Sequence, residues 1–231
     1  MHQVQKRLKD IDQRRKDIED SINMPIVGKL QPEKIKSLTD SAALLKNRID
    51  RLEKVMAIIS SLENSGVKYA VQITSGDEGG TIYDKDSKKI VFKVHGPGNF
   101  IHEITHGSQF EKGQLAFKKD TGGPFGDDAG DEIEAYSMQF AFDPDSVIGL
   151  HSSSTPSTFP TLTEAWLKDL AKDDGSKPYA DGGSAQLALR AITIYSSRQR
   201  ILNAYRYIQD RSTRWPPGYK TISDTNLYFK K

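Results

Sequence analysis

Cysteine is absent from the 231 residues. That excludes a disulfide framework and any thiolate metal site, and leaves His, Asp and Glu as the ligands available to a cation. Long hydrophobic runs are missing as well. The first twenty residues, "MHQVQKRLKDIDQRRKDIED", are highly charged, and no apolar stretch reaches the length of a signal-peptide core or a membrane span. The expectation is a soluble protein with no membrane partner; one secreted after loss of a leader, or delivered as part of a longer chain, would read the same way. Neither sign of charge dominates, with 33 basic against 31 acidic residues and a net charge of +2. The basic residues are scattered among acids, so the electrostatic footprint of a nucleic-acid binder is missing. Length alone permits a core that needs no covalent or metal staple.

Hydrophobic periodicity divides the chain. Val4, Leu8, Ile11, Ile18 and Ile22 recur at spacings of three and four, with Arg15 interrupting the seam. After a break containing Pro25, Gly28 and Pro32, an unbroken second seam runs through Ile35, Leu38, Ala42, Leu45, Ile49, Leu52, Met56 and Ile59. Two such helices joined by a proline-bearing turn predict an antiparallel hairpin over residues 3 to about 63. Past "ENSG" the period becomes that of strands: "KYAVQIT" (68–74), "TIYD" (81–84) and "KKIVFKV" (88–94), the last two forming a hairpin. "HGPGN" ends the strand run, with Pro97 and Gly98 as breakers and Asn99 as the predicted N-cap of the next helix. A glycine-rich loop (119–130) leads into a three-turn helix over "DEIEAYSMQFAF", and "DPDSVIGLHSSSTPSTFP" reads as irregular. Thr161 with Glu164 signals a capping box for a helix to about Ala171, and a long helix is predicted from Ser184 to Asp210.

Of only five histidines, two stand four apart in "NFIHEITHGSQ", with a glutamate directly after the first. On a helix His102 and His106 point from one face, one turn apart, and can offer ring nitrogens to one metal ion. Glu103 lies about 100° around the helix, displaced from that pair yet within reach of a water beside them. A base and two ligands are thereby distinguished, and a further acid must complete the ligand set. Bland alternatives are solvent-facing histidines on an amphipathic helix and, for the acids at 131, 132 and 134, charges that suit a helix N-terminus.

These residues meet the HExxH pattern, and here the chain resembles the zincin metallopeptidases. The metzincin branch fits poorly, because no histidine follows His106 until His151. "GDEIEAYSMQ" is similar to the glutamate-ligand helix of the gluzincin branch, which implies Glu134, followed by Ala135 and Tyr136, as the third ligand. Glu132 is its rival, about 200° away on a helix. Ala135, a small residue beside Glu134, favours Glu134 by letting two helices approach, and Asp131 is a candidate hydrogen-bond partner for a ligand histidine. The layout also resembles metallopeptidase domains of bacterial effectors and polymorphic toxins.

The resemblance implies an α+β, zincin-like fold. Its parts would be a small, mostly antiparallel sheet, an HExxH helix and a glutamate-ligand helix, preceded by the helical hairpin, with the hairpin as residues 1–66 and the metallopeptidase domain as 67–231. The implied activity is that of a zinc-dependent peptidase, endopeptidase rather than exopeptidase. Zn2+ would activate water, Glu103 would carry its proton, and a protein or peptide would lie along "IVFKV" as an added strand. The family also implies an oxyanion donor, for which Tyr136, Tyr195, Tyr205, Tyr207 and His151 are the candidates; His95 is assigned no role. A different class of function is an interaction protein, in which a partner chain packs on the heptad hairpin and the metal pocket is vestigial.

Overall fold

A computed structural model describes residues 1–24, 31–76, 79–204 apart from 182, 186, 190 and 194, and 227–230. Helices α1 (His2–Asn23) and α2 (Pro32–Glu63) form the two arms read from the seams. The turn expected between them at 25–30 lies outside the described residues. Pro32 opens α2 at its first position, where a missing N–H costs nothing. Arg15, the interruption in the first seam, is braced by Asp12 and Glu19 on its own helix.

The arms do not stand apart from the rest of the chain. α2 packs on α1 and also on α3 (Pro97–Glu111) and α4 (Ala129–Phe142). A single apolar cluster runs from Val4 and Ile11 through Leu52, Val55 and Ile58 to Ile104, Phe140 and Trp166. The core therefore crosses the expected boundary at 66/67 without a gap. The heptad reading identified one face of α2; Arg48, Val55, Ile58 and Leu62 are buried as well, because a second face covers α3 and α4. Two arginines tie the arms to the end of α4, Arg48 Nε donating to Ala141 O and Arg7 Nε to Phe142 O, both at 3.0 Å. The last carbonyls of α4 thus gain charged partners.

Strands β1 (Tyr69–Ile73), β2 (Gly80–Asp84) and β3 (Lys89–Val94) form a sheet in the order β1-β3-β2. The β2–β3 hairpin is antiparallel as expected, but β1 runs parallel to β3, so this sheet is mixed. β3 is central, with both edges paired; the expectation that "IVFKV" offers an edge to a substrate is corrected, since its hydrogen-bonding groups are engaged by β1 and β2. A second sheet, antiparallel, has the order β5-β4-β6, from Ala116–Lys118 (β4), Pro124–Phe125 (β5) and Leu227–Tyr228 (β6).

On β3 the alternating side chains Ile90, Phe92 and Val94 are buried, and α3 packs against this strand. The approach is close at Gly107, where a Cβ would lie 2.7 Å from the Phe92 ring. α3 begins earlier than read: Gly96 is its N-cap and Pro97 is its first residue rather than a breaker, because proline is tolerated where the N–H is unpaired anyway. Asn99 is therefore inside the helix.

Beyond α4 come the short helix α5 (Pro144–Ile148), a 3-10 turn (Phe159–Thr161) and α6 (Glu164–Asp169). Thr163, not Thr161, caps α6, its hydroxyl accepting from Trp166 N. The long helix expected over 184–210 is not found in the described part of that range; only Arg198–Ala204 is helical (α7). Residues before it are largely irregular, and Ala188 bridges to Asp128. The apolar residues there satisfied a helical period, but Ala188 and Ile192 are buried in a smaller satellite core while Tyr195 is 85% exposed. Among the described residues no helix is long and apolar enough to cross a membrane.

Candidate metal centre

α3 is buried on all sides from Ile101 to Phe110, which forces its polar residues to find partners inside the protein. His102 and His106, one turn apart, direct Nε2 atoms to within 3.1 Å of each other. From α4, Glu132 brings Oε2 to 3.4 Å from His102 Nε2 and 3.7 Å from His106 Nε2. A tetrahedral ion with bonds of about 2.0–2.1 Å spaces its ligand atoms about 3.3–3.4 Å apart, so the triangle has the size such an ion requires. Glu132 Oε2 is buried and finds no hydrogen-bond partner among the described residues. An orphaned carboxylate oxygen facing two imidazole nitrogens is the donor arrangement of a metal centre, and these three residues fit one.

Glu134, expected as the third ligand, is not part of this triangle; Glu132 takes the place. The reason is where α4 starts. Asp128 caps it, accepting from Gly130 N and Asp131 N, while the Asp131 carboxylate accepts from Asp128 N in a reciprocal box. In that helix Glu132, Ala135, Tyr136 and Gln139 share one buried face. Ala135 does provide the small residue for close approach, but as the i+3 neighbour of Glu132 on the same face. Glu134 is turned aside and accepts from Gln109 Nε2 at 3.1 Å. Asp131 likewise does not serve a histidine with its side chain, which the cap consumes.

The electrostatics suit an ionised ligand. Burial alone would raise the Glu132 carboxyl, but the two imidazoles and a hydrogen bond from Asp127 hold it down to about 2. Asp127 is pushed well above the ordinary range by burial and by the neighbouring Glu132 charge. For His102 burial works toward the neutral ring, yet Glu132 and the Glu103 charge raise it overall. Its Nδ1 finds no hydrogen-bond partner among the described residues, although the Gln139 amide acts on the ring from α4.

Glu103 is buried, with its carboxylate held at both oxygens. Thr81 Oγ1 on β2 donates to Oε2 at 2.8 Å, and Asn99 Nδ2 donates to Oε1 at 3.1 Å. The Tyr136 ring stands edge-on to His102 at 4.3 Å between centroids, and its hydroxyl lies 3.4 Å from that of Tyr179. Burial and the nearby carboxylates raise both phenols, which therefore keep their protons at neutral pH. Of the oxyanion candidates, Tyr136 alone is placed against the histidines among the described residues. Tyr195 is exposed, His151 pairs with Asp173 at the surface, and Tyr205 and Tyr207 lie outside the described residues.

Several partners in this centre were not read from the sequence: Thr81, Asn99 in this role, Gln109, Asp127 and Tyr179. Gln109 carried a usable signal, lying three residues after His106 and so on the ligand face of α3. Asp127 and Tyr179 sit in loops, where no periodicity marks them. Comparison with family models, with curated proteins and with solved structures gives no match.

Proposed function

We propose that this chain is a zinc-dependent hydrolase of peptide bonds, with His102, His106 and Glu132 holding the ion and Glu103 acting as general base. The observation that carries this reading is the triangle of 3.1, 3.4 and 3.7 Å between three buried donor atoms, closed across two helices beside a second buried glutamate. Two imidazoles and a carboxylate at tetrahedral spacing suit zinc. Zinc bound there supplies Lewis acidity, polarising a carbonyl and making water nucleophilic near neutral pH.

The chain's own residues account for the remaining steps. Glu103 takes the proton from the attacking water and passes it to the leaving amine. Thr81 and Asn99 fix the carboxylate for that exchange and keep both oxygens hydrogen-bonded in a buried setting. Tyr136 covers His102 from solvent, and the protonated Tyr136 and Tyr179 hydroxyls are the phenol donors beside the site for a developing oxyanion. An extended peptide would pair with the Gly80–Ile82 part of β2, an edge strand of the mixed sheet that carries Thr81; farther along, Tyr83 N is already engaged by Gly122 O.

A peptide-library digest with the zinc-supplied full chain tests the reading. The expected outcome is zinc-dependent internal cleavage that falls by about 10²–10⁴ in Glu103→Gln, with bound zinc unchanged. A zinc-loaded chain that cleaves no peptide, or a Glu103→Gln variant as active as the parent, would overturn it.

A further inference from the structure

One buried side chain connects the two ligand helices without belonging to the ligand set. Gln109 is fully buried, at 0% exposure, and its amide makes three hydrogen bonds. Nε2 lies 2.9 Å from Asp131 O and 3.1 Å from Glu134 Oε2, and Oε1 lies 2.8 Å from His106 Nδ1. The chemistry of these partners leaves one orientation for the amide. A backbone carbonyl and a carboxylate only accept, so the NH2 group must face α4. Reversing the amide would set its oxygen against two other oxygens at 2.9 and 3.1 Å in a side chain fully shielded from solvent.

The consequence passes to the histidine. An amide oxygen cannot donate, so the proton shared with His106 must sit on Nδ1, and in the neutral ring Nε2 then keeps its lone pair. That lone pair is on the nitrogen facing His102 Nε2 and Glu132 Oε2. We infer that Gln109 is a positioning residue that fixes His106 in the Nδ1–H tautomer and pins it to the helix carrying Glu132. Glu134 acts through it, since the amide is locked by that carboxylate and by the Asp131 carbonyl. This inference rests on the metal-centre reading for its functional consequence, but the tautomer itself does not require a metal.

Two measurements on the full chain separate those points. In the metal-free chain with 15N-labelled histidine, NMR connectivities of the neutral His106 ring are expected to show the proton on Nδ1; a proton on Nε2 would overturn the inference. The second is zinc affinity by competition with a chromogenic chelator. Gln109→Leu is expected to bind zinc about 10–100-fold more weakly, the usual cost of losing a partner to a ligand. The exchange Gln109→Glu with Glu134→Gln, which restores an acceptor for Nδ1–H and a donor between the two side chains, is expected to recover most of that loss. A folded Gln109→Leu variant with unchanged affinity would contradict the positioning role. Should Gln109→Leu fail to fold, the tautomer in the parent chain decides. Should the parent bind no zinc while His106 shows the Nδ1–H form, the functional proposal fails and the role of Gln109 stands.

Discussion

Two glutamates two residues apart on α4 show how a single position decides a site. Glu132 and Glu134 are equivalent in composition and both lie near the start of the helix, yet only Glu132 reaches the histidines, while Glu134 braces Gln109. Glu132→Ala is accordingly expected to abolish stoichiometric zinc, whereas Glu134→Ala retains it with affinity lowered by no more than about 10–100-fold; metal analysis after dialysis distinguishes them. The pairing of His102 with His106 was legible because a spacing of four on a helix has direct geometric meaning. The carboxylate that faces them was not, because identifying it depends on which face of α4 meets α3, and that is settled by tertiary packing. Thr81 was invisible as a partner for the same reason: nothing local marks a strand threonine that lies 22 positions from the carboxylate it holds.

At the scale of elements, α4 owes its register to Asp128. Its carboxylate satisfies two N–H groups of the first turn, and the Asp131 side chain returns the bond. Asp128→Ala should cost about 0.5–2 kcal/mol of stability, read as a lowered Tm, and should loosen the turn that carries Glu132. The two N-terminal helices, the β2–β3 hairpin, the histidine helix and α4 all followed from periodicity. The helix expected over 184–210 shows where periodicity misleads. The helical seam there runs through Leu187 and Ala191, but Ala191 is exposed, and it is the neighbouring Ala188 and Ile192 that an irregular segment buries against Ile201 and Leu227. The starts of α3 and α6 were misplaced by a few residues because proline at a first position and two threonines two residues apart each permit two readings. The parallel β1–β3 pair could not be read at all, since pairing direction leaves no trace in strand composition.

For the molecule as a whole, the helical arms are part of the core that supports the centre. Leu52, Val55, Ile58, Ile59 and Leu62 are all buried, and burying side chains of this kind contributes at most about 8–15 kcal/mol together. That is comparable to the entire stability of an ordinary domain, about 5–15 kcal/mol. Residues 67–231 alone are thus expected not to unfold cooperatively in a calorimetric scan; a sharp transition in that fragment would show the arms to be an independent appendage instead. The same packing places Leu62 and Phe92 against Gly107, directly after His106, so the arms and the sheet together fix the helix that carries both histidines. Under the proposed function, two imidazoles and the Glu132 carboxylate converge on one zinc ion. Anomalous diffraction at the zinc edge from crystals of the zinc-supplied protein addresses it directly. The expected map has one peak per chain bounded by His102 Nε2, His106 Nε2 and a Glu132 oxygen; no peak there, or one bound through Glu134 in place of Glu132, would contradict it.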